Sequence, residues 1–203
     1  NHSFVEIPKL KQINTEEGRR YGIDGKKKYP SITTVLSDTA DKTWLYEWRK
    51  RVGEEKANAI SKAATTRGTA MHKLCEKYLL NEDISPYYDE STTGTFLFTN
   101  IKPALERMDN VRALESTLYS DALGVAGTVD CIAELDGKLS IIDFKTASRP
   151  KQQDKIEDYF LQGCFYFTAY YERTGELPSQ VAILISVQDS SYQEFVISGS
   201  DII

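Results

Sequence analysis

Residues 124–146 read GVAGTVDCIAELDGKLSIIDFKT. Two apolar-rich runs, 125–135 and 138–146, flank Asp136-Gly137, and a two-residue Asp-Gly link between such runs signals a tight β-hairpin. The hairpin carries Asp130 and Asp143, so strand pairing can bring the two carboxylates together. Side chains alternate along a strand, which puts Asp143 and Lys145 on one face. Paired carboxylates suit a hard divalent cation such as Mg²⁺, which takes few protein ligands and keeps several waters. A lysine beside them can orient a water or stabilise developing phosphate charge.

Working outward, VRALESTLY (111–119) alternates as a preceding strand and holds Glu115 in its middle. Asp154–Thr174 reads as a long amphipathic helix closed by Gly175, with Tyr159, Gln162 and Tyr166 on one stripe. QVAILISVQ (180–188) is apolar on both faces and belongs at the centre of a sheet. YQEFVIS (192–198) is the last strand. The helix between the third and fourth strands should make a right-handed parallel crossover.

Upstream, residues 1–30 read as an irregular arm or hairpin with a basic run at Lys26–Lys28. Ser31 caps a short helix carrying Ile32, Val35 and Leu36. Asp41 caps the next, with Trp44, Leu45 and Trp48 on one face and Arg49-Lys50-Arg51 at its end. Gly53 interrupts; a helix over 54–64 follows. A further helix restarts at Thr66 or Thr69 and runs to Leu80, with His72 near its start. Residues 81–95 read as a loop, and Phe96–Met108 as a helix that Pro103 kinks or restarts. The pattern predicts one α/β domain over 1–203. Its N-terminal arm and helical half span 1–108. A mixed-sheet core spans 109–203: a three-stranded meander, a crossover helix and two further strands.

The 203 residues are 40% apolar, 11% aromatic and 27% charged, enough for a core and unlike a disordered, collagenous or rod-like chain. No apolar run approaches the ~20 residues of a membrane span. The opening NHSFVEIPKLKQ lacks the order of a signal peptide and starts without Met, as a chain missing its first residues would. Cys75, Cys131 and Cys164 form no CxxC pair; reduced core thiols in an intracellular protein are expected, with no cysteine-held zinc or iron–sulfur cluster. The net charge of −5 divides unevenly, as residues 1–80 carry 16 basic and 10 acidic side chains and residues 81–203 carry 9 and 20. A basic half can meet a polyanion, and an acidic half can hold metal.

Five pieces in order, RGTAMH (67–72), ALES (113–116), GVAGTVD (124–130), IIDFKT (141–146) and YFLQGCFY (159–166), resemble the PD-(D/E)xK nuclease superfamily in its RecB-like exonuclease branch. The upstream PSITTVL and the Trp44/Trp48 helix resemble phage exonucleases and the mitochondrial genome maintenance exonucleases. The resemblance implies a restriction-endonuclease-like core and phosphodiester hydrolysis leaving a 5′-phosphate and a 3′-hydroxyl. It implies a metal site of His72, Asp130, Asp143 and the backbone carbonyl of Phe144, taking Mg²⁺ with Mn²⁺ as a substitute. Lys145 would position the attacking water, and Glu115 and Gln162 would support the site. Arg67, Thr69, Thr146, Tyr159, Tyr166, Trp44 and Trp48 would contact DNA, single-stranded or with a free end. The implied setting is the cytoplasm of a bacterial or phage-infected cell.

Each residue also has a plainer reading. Asp130 alone is a strand-end residue, His72 a helix-start histidine, Glu115 a structural ion-pair partner, and Gln162 a polar residue on a half-buried face. Trp44 and Trp48 read first as core, because large aromatics usually bury. Two acids and a lysine converging on apolar strands are harder to dismiss, because burying charge without compensation costs several kcal/mol. The competing functions are a double-strand-end exonuclease, a structure-specific endonuclease, and a non-catalytic nucleic-acid-binding module. A helicase- or CRISPR-associated nuclease is disfavoured by the absence of a four-cysteine cluster and of a Walker A motif.

Overall fold

The computed structural model describes residues 1–189 and 191–202. The central sheet contains β4 (Met108–Ser120), β5 (Val125–Leu135), β6 (Lys138–Ala147), β7 (Gln180–Val187) and β8 (Tyr192–Ser198), in that order. β6 and β7 run parallel, and the other neighbours are antiparallel. The Asp136-Gly137 turn has φ of 51° and 74°, the two left-handed residues that a tight hairpin demands. Every residue of β7 is buried, as its unbroken apolar run requires.

Helices cover both faces of the sheet. α3 (Glu54–Leu79) and α4 (Thr92–Leu105) pack Met71, Leu74, Leu97, Phe98 and Ile101 against Cys131, Ile142, Phe144 and Leu184. On the other face, α1 (Ile32–Thr39) and α5 (Glu157–Thr174) bring Ile32, Phe165, Tyr166 and Tyr170 against Val129, Ile141, Val181, Ile183 and Ile185. Successive β6 residues therefore serve opposite cores, and Asp143 and Lys145 share the α5 face with Ile141.

Four expectations are corrected. The first 30 residues, expected to be an irregular arm or hairpin, are an arm followed by a regular three-stranded sheet. Ser3 N–H donates to Val111 O at 2.8 Å and Val5 N–H to Arg112 O at 3.0 Å, so the arm covers the free edge of β4. The chain then forms an antiparallel meander of β1 (Lys11–Thr15), β2 (Gly18–Ile23) and β3 (Lys27–Pro30). The expected break before Thr66 is absent, and α3 is one helix of 26 residues. A glycine inside a helix costs about 1 kcal/mol; packing of α3 along α4 and β6 outweighs Gly68. α4 starts at Thr92, where the Ser91 hydroxyl accepts Gly94 N–H at 3.0 Å, and Pro103 lies in its last turns without restarting it. Cys164 is half-buried, unlike the core thiols of Cys75 and Cys131. The Ser31 cap is present, its hydroxyl accepting Thr34 N–H at 3.1 Å. α2 (Thr43–Val52) follows Asp41, whose carboxylate accepts Thr43 N–H at 2.9 Å.

α5 lies close enough to the sheet to need a residue without a side chain. A Cβ on Gly163 would fall 2.3 Å from Val181 Cγ1. Gly163→Ala sets a helix-propensity gain of about 1 kcal/mol against an overpacking cost of about 1–3 kcal/mol. The clash should win, because the helix and the strand are both buried. Urea unfolding is expected to show a lower midpoint with an unchanged slope; a more stable variant would disprove the close approach.

Candidate active site

Pairing of β5 with β6 runs from Leu135–Lys138 up to Cys131–Ile142. Just beyond, the Asp130 carboxylate takes over: Oδ2 accepts Phe144 N–H at 2.7 Å. That bond ties Asp130 to the backbone beside Asp143. Asp143 is 2% exposed, and its Oδ2 is buried without a hydrogen-bond partner. The Lys145 ammonium donates to Asp143 Oδ1 at 2.9 Å and lies 2.7 Å from Oδ2, outside hydrogen-bond geometry.

Lys145 is held from the other side by α5. Its ammonium donates to Gln162 Oε1 at 3.1 Å and lies 5.1 Å from the centre of the Tyr159 ring. Gln162 in turn donates to Tyr166 Oη at 3.4 Å, and Tyr166 donates to Thr128 O at 2.7 Å. Tyr166 is 2% exposed. Of its two readings, core packing and contact with DNA, this burial favours the first. A Cβ on Gly127 would meet the Tyr166 ring at 2.8 Å, so the glycine inside GVAGTVD makes room for this tyrosine.

His72 approaches from α3. Its Nε2 lies 2.8 Å from Phe144 O, leaving Nδ1 3.6 Å from Asp130 Oδ1 and 3.8 Å from Glu115 Oε1. The Phe144 carbonyl, an expected metal ligand, is engaged by this imidazole. Glu115 has φ of 42°, a left-handed conformation that costs a non-glycine residue about 1–3 kcal/mol and clusters at functional sites. One ligand atom each from His72, Glu115 and Asp130 lie within 4.8 Å of one another.

The electrostatics are those of crowded like charge. Burial pulls the His72 imidazole down, but the Asp130, Glu115 and Asp143 carboxylates outweigh it and hold the ring cationic up to about 9. Burial pushes the Asp130 and Asp143 carboxyls above the usual carboxylate range, against the pull of His72 and Lys145. Burial lowers Lys145, and Asp143 and Asp130 more than restore it, so it remains an ammonium. The carboxylates of Glu115, Asp130 and Asp143 with one imidazole nitrogen fit a divalent cation, although Asp143 is ion-paired with Lys145. A ring donating one nitrogen to a backbone carbonyl while offering the other is how metal-binding histidines are commonly oriented.

Other expected residues lie outside this cluster. Arg67 and Thr146 are half-buried and Thr69 is exposed; a Cβ on Gly68 would lie 3.6 Å from Thr146 Oγ1. Trp44 is 67% exposed and Trp48 half-buried on α2, which packs against α3; the expectation of a Trp44 in the core is corrected. Arg49 of the basic run is paired with Glu54. The sequence reading missed Glu76. It lines the cleft with Gly68, Thr69, His72, Lys73 and Glu115, and burial and then the Glu115 charge raise its carboxyl. The signal was available, because Glu76 is four residues from His72 and shares its helical face.

A sequence profile described as the PD-(D/E)XK nuclease superfamily matches residues 41–195. Mitochondrial genome maintenance exonuclease 1 of Homo sapiens is 30% identical over 129 residues, covering 60% of this chain and 38% of the relative. The Mus musculus protein of the same name is 29% identical over 133 residues, 62% of this chain and 39% of its own. The Xenopus tropicalis protein is 30% identical over 129 residues, 60% and 37%. The chain thus spans well under half the length of these relatives. Among the described residues no helix is long and apolar enough to cross a membrane.

The charge crowding predicts a pH-dependent metal effect. His72 has its pKa raised in the folded state, so its contribution to stability is complete below about 6.5 and is lost as pH rises through about 9. The raised carboxyls act in the same direction at lower pH. In EDTA the melting temperature should fall from pH 6.5 to 9. A divalent cation, competing with the proton for this site, should reduce that fall. Asp130→Asn should abolish the metal-induced stabilisation, which for wild type is about 2.7 kcal/mol at a hundredfold excess over Kd. Scanning calorimetry with and without metal checks this, and a metal shift surviving in Asp130→Asn would refute the site.

Proposed function

Because the chain belongs to the PD-(D/E)XK nuclease superfamily, we propose that it is a metal-dependent DNA exonuclease, acting above all on single-stranded DNA with a free end. The observation that carries this reading is the Lys145 ammonium, held 2.9 Å from Asp143 and 3.1 Å from Gln162 beside the His72–Glu115–Asp130 cluster. A structural ion pair would not need the extra carboxylates of Asp130 and Glu115 beside it. The relatives' printed names, which contain the word exonuclease, support the reading. Those names refer to the mitochondrial genome and lend no support to a bacterial or phage setting.

Asp130, Asp143 and His72, with Glu115 and the Phe144 carbonyl beside them, would hold Mg²⁺ or Mn²⁺. Such an ion supplies Lewis-acid polarisation of a phosphoryl oxygen and a bound water of lowered pKa. Lys145 enters as a cation. It orients the attacking water and offsets the negative charge that builds on the phosphoryl oxygens, while Gln162 and Asp143 fix its direction. Tyr159 packs beside the ammonium. The strand is cut to leave a 5′-phosphate and a 3′-hydroxyl. Away from the centre, exposed Trp44 and Tyr46 with Lys50 and Arg51 give α2 an aromatic and basic surface. Each base stacked there is worth about 1–3 kcal/mol. Thr69 and Thr146 complete the expected contacts with the strand.

The test uses end-labelled linear single strands, duplexes and circular single strands, each with Mg²⁺, Mn²⁺ or EDTA. Metal-dependent shortening of linear single strands with circles spared is expected. Lys145→Ala and Asp143→Asn should each lower kcat by about 10²–10³-fold. Near-wild-type turnover in either variant would overturn the proposal, and cut circles would make the enzyme an endonuclease. Binding without cleavage under any metal would favour the non-catalytic module.

A further inference from the structure

A second pocket lies upstream on α3. It is lined by Ala59, Lys62, Ala63, Thr66 and Arg67 of α3, by Ser91 and Thr93 at the start of α4, and by Gln188 just after β7. No Asp or Glu is among its lining residues. Arg67 Nε is buried and has no hydrogen-bond partner among the described residues. A buried guanidinium nitrogen left unpaired is costly, and a planar fork of N–H donors suits the oxygens of a phosphate. Two cations, three hydroxyls and a carboxamide around one cavity make a chemically coherent anion site. None of these residues takes part in the hydrogen bonds of the candidate metal centre. The five residues from Arg67 to His72 rise about 7.5 Å along the helix axis and turn about 140° around it, so a strand reaching from the metal centre to an anion here would pass around α3.

We propose that this pocket is a second subsite, holding a non-scissile phosphate of the nucleic-acid strand. The identity of the strand rests on the nuclease reading above; the anion chemistry of the pocket does not. A phosphate seated there would fix how far the strand enters the centre, so Arg67 and Lys62 act on binding and register. Its source is either the monoester at a strand end or a diester within the strand.

The full-length chain serves for the test. Binding is followed by fluorescence anisotropy in the Asp130→Asn background, a substitution outside the lining of this pocket. The probes are single strands ending in 5′-phosphate, 3′-phosphate or hydroxyl groups, and a closed circle. Arg67→Gln and Lys62→Gln should each raise Kd about tenfold or more. Each should also reduce the slope of log K against log salt by about 0.7, the loss of one phosphate contact to a single strand. In the active enzyme KM should rise by a similar factor, with kcat at saturating strand changed less than about threefold, the signature of lost binding common to ground and transition states. Lys62 is exposed, so its variant separates a binding defect from a folding defect. A wild-type preference for one phosphorylated end, lost in the variants, identifies a terminal monoester. Equal weakening on hydroxyl-ended and circular strands identifies an internal diester. Unchanged Kd and salt slope in both variants would overturn the subsite, as would a fall in kcat alone. If no strand is cut with any divalent metal yet Arg67-dependent binding persists, the nuclease reading fails and the subsite stands.

Discussion

The hydrogen bond from Phe144 N–H to the Asp130 carboxylate, at 2.7 Å, is the contact on which the site's arrangement depends. It lies just past the last backbone pair between β5 and β6, where a sheet would otherwise leave a donor unsatisfied. One carboxylate therefore does two things. It satisfies a main-chain donor of the neighbouring strand, and it anchors the negative charge of Asp130 beside Asp143. Phe144 also offers its carbonyl to His72. A single residue of β6 thus ties β5 on one side and α3 on the other, while its ring fills the core beneath α3 and α4.

Crowding carboxylates in this way is unfavourable, and the surrounding structure holds them there. Lys145 and His72 supply two positive charges, yet the carboxyls of Asp130 and Asp143 are still pushed upward. Glu115 reaches the cluster from a strained backbone. Such a site persists because the sheet and its two helical layers do not yield. β7 is buried along its whole length, Gly163 lets α5 approach it, and Gly127 lets Tyr166 brace the helix against β5. A divalent cation held among these carboxylates would offset their repulsion and so link metal binding to the stability of the fold.

Much of the sheet half was legible beforehand because its signals are local. The Asp136-Gly137 turn, the alternation of β5 and β6, and the apolar run of β7 each follow from short-range chemistry. The order of strands then follows from the turn and the crossover. The N-terminal half was less legible. Residues 1–10 have no strand periodicity of their own and take their order from the β4 edge. Gly68 argues locally for a break that packing against α4 and β6 overrides. Trp44 shows the limit of the rule that large aromatics bury, because α2 packs on α3 and leaves Trp44 to solvent.

The sequence by itself determined the α/β class, the mixed sheet and the residue types of the site, since strand alternation and turn chemistry act over a few residues. It also put Asp143 and Lys145 on one face. Only the tertiary structure decided which nitrogen of His72 faces the carboxylates, that Tyr166 braces Gln162 instead of reaching outward, and that Glu76 joins the cleft. These depend on the distances between α3, α5 and the sheet. Such distances are set by the packing of buried side chains far apart in the chain, which no local pattern encodes.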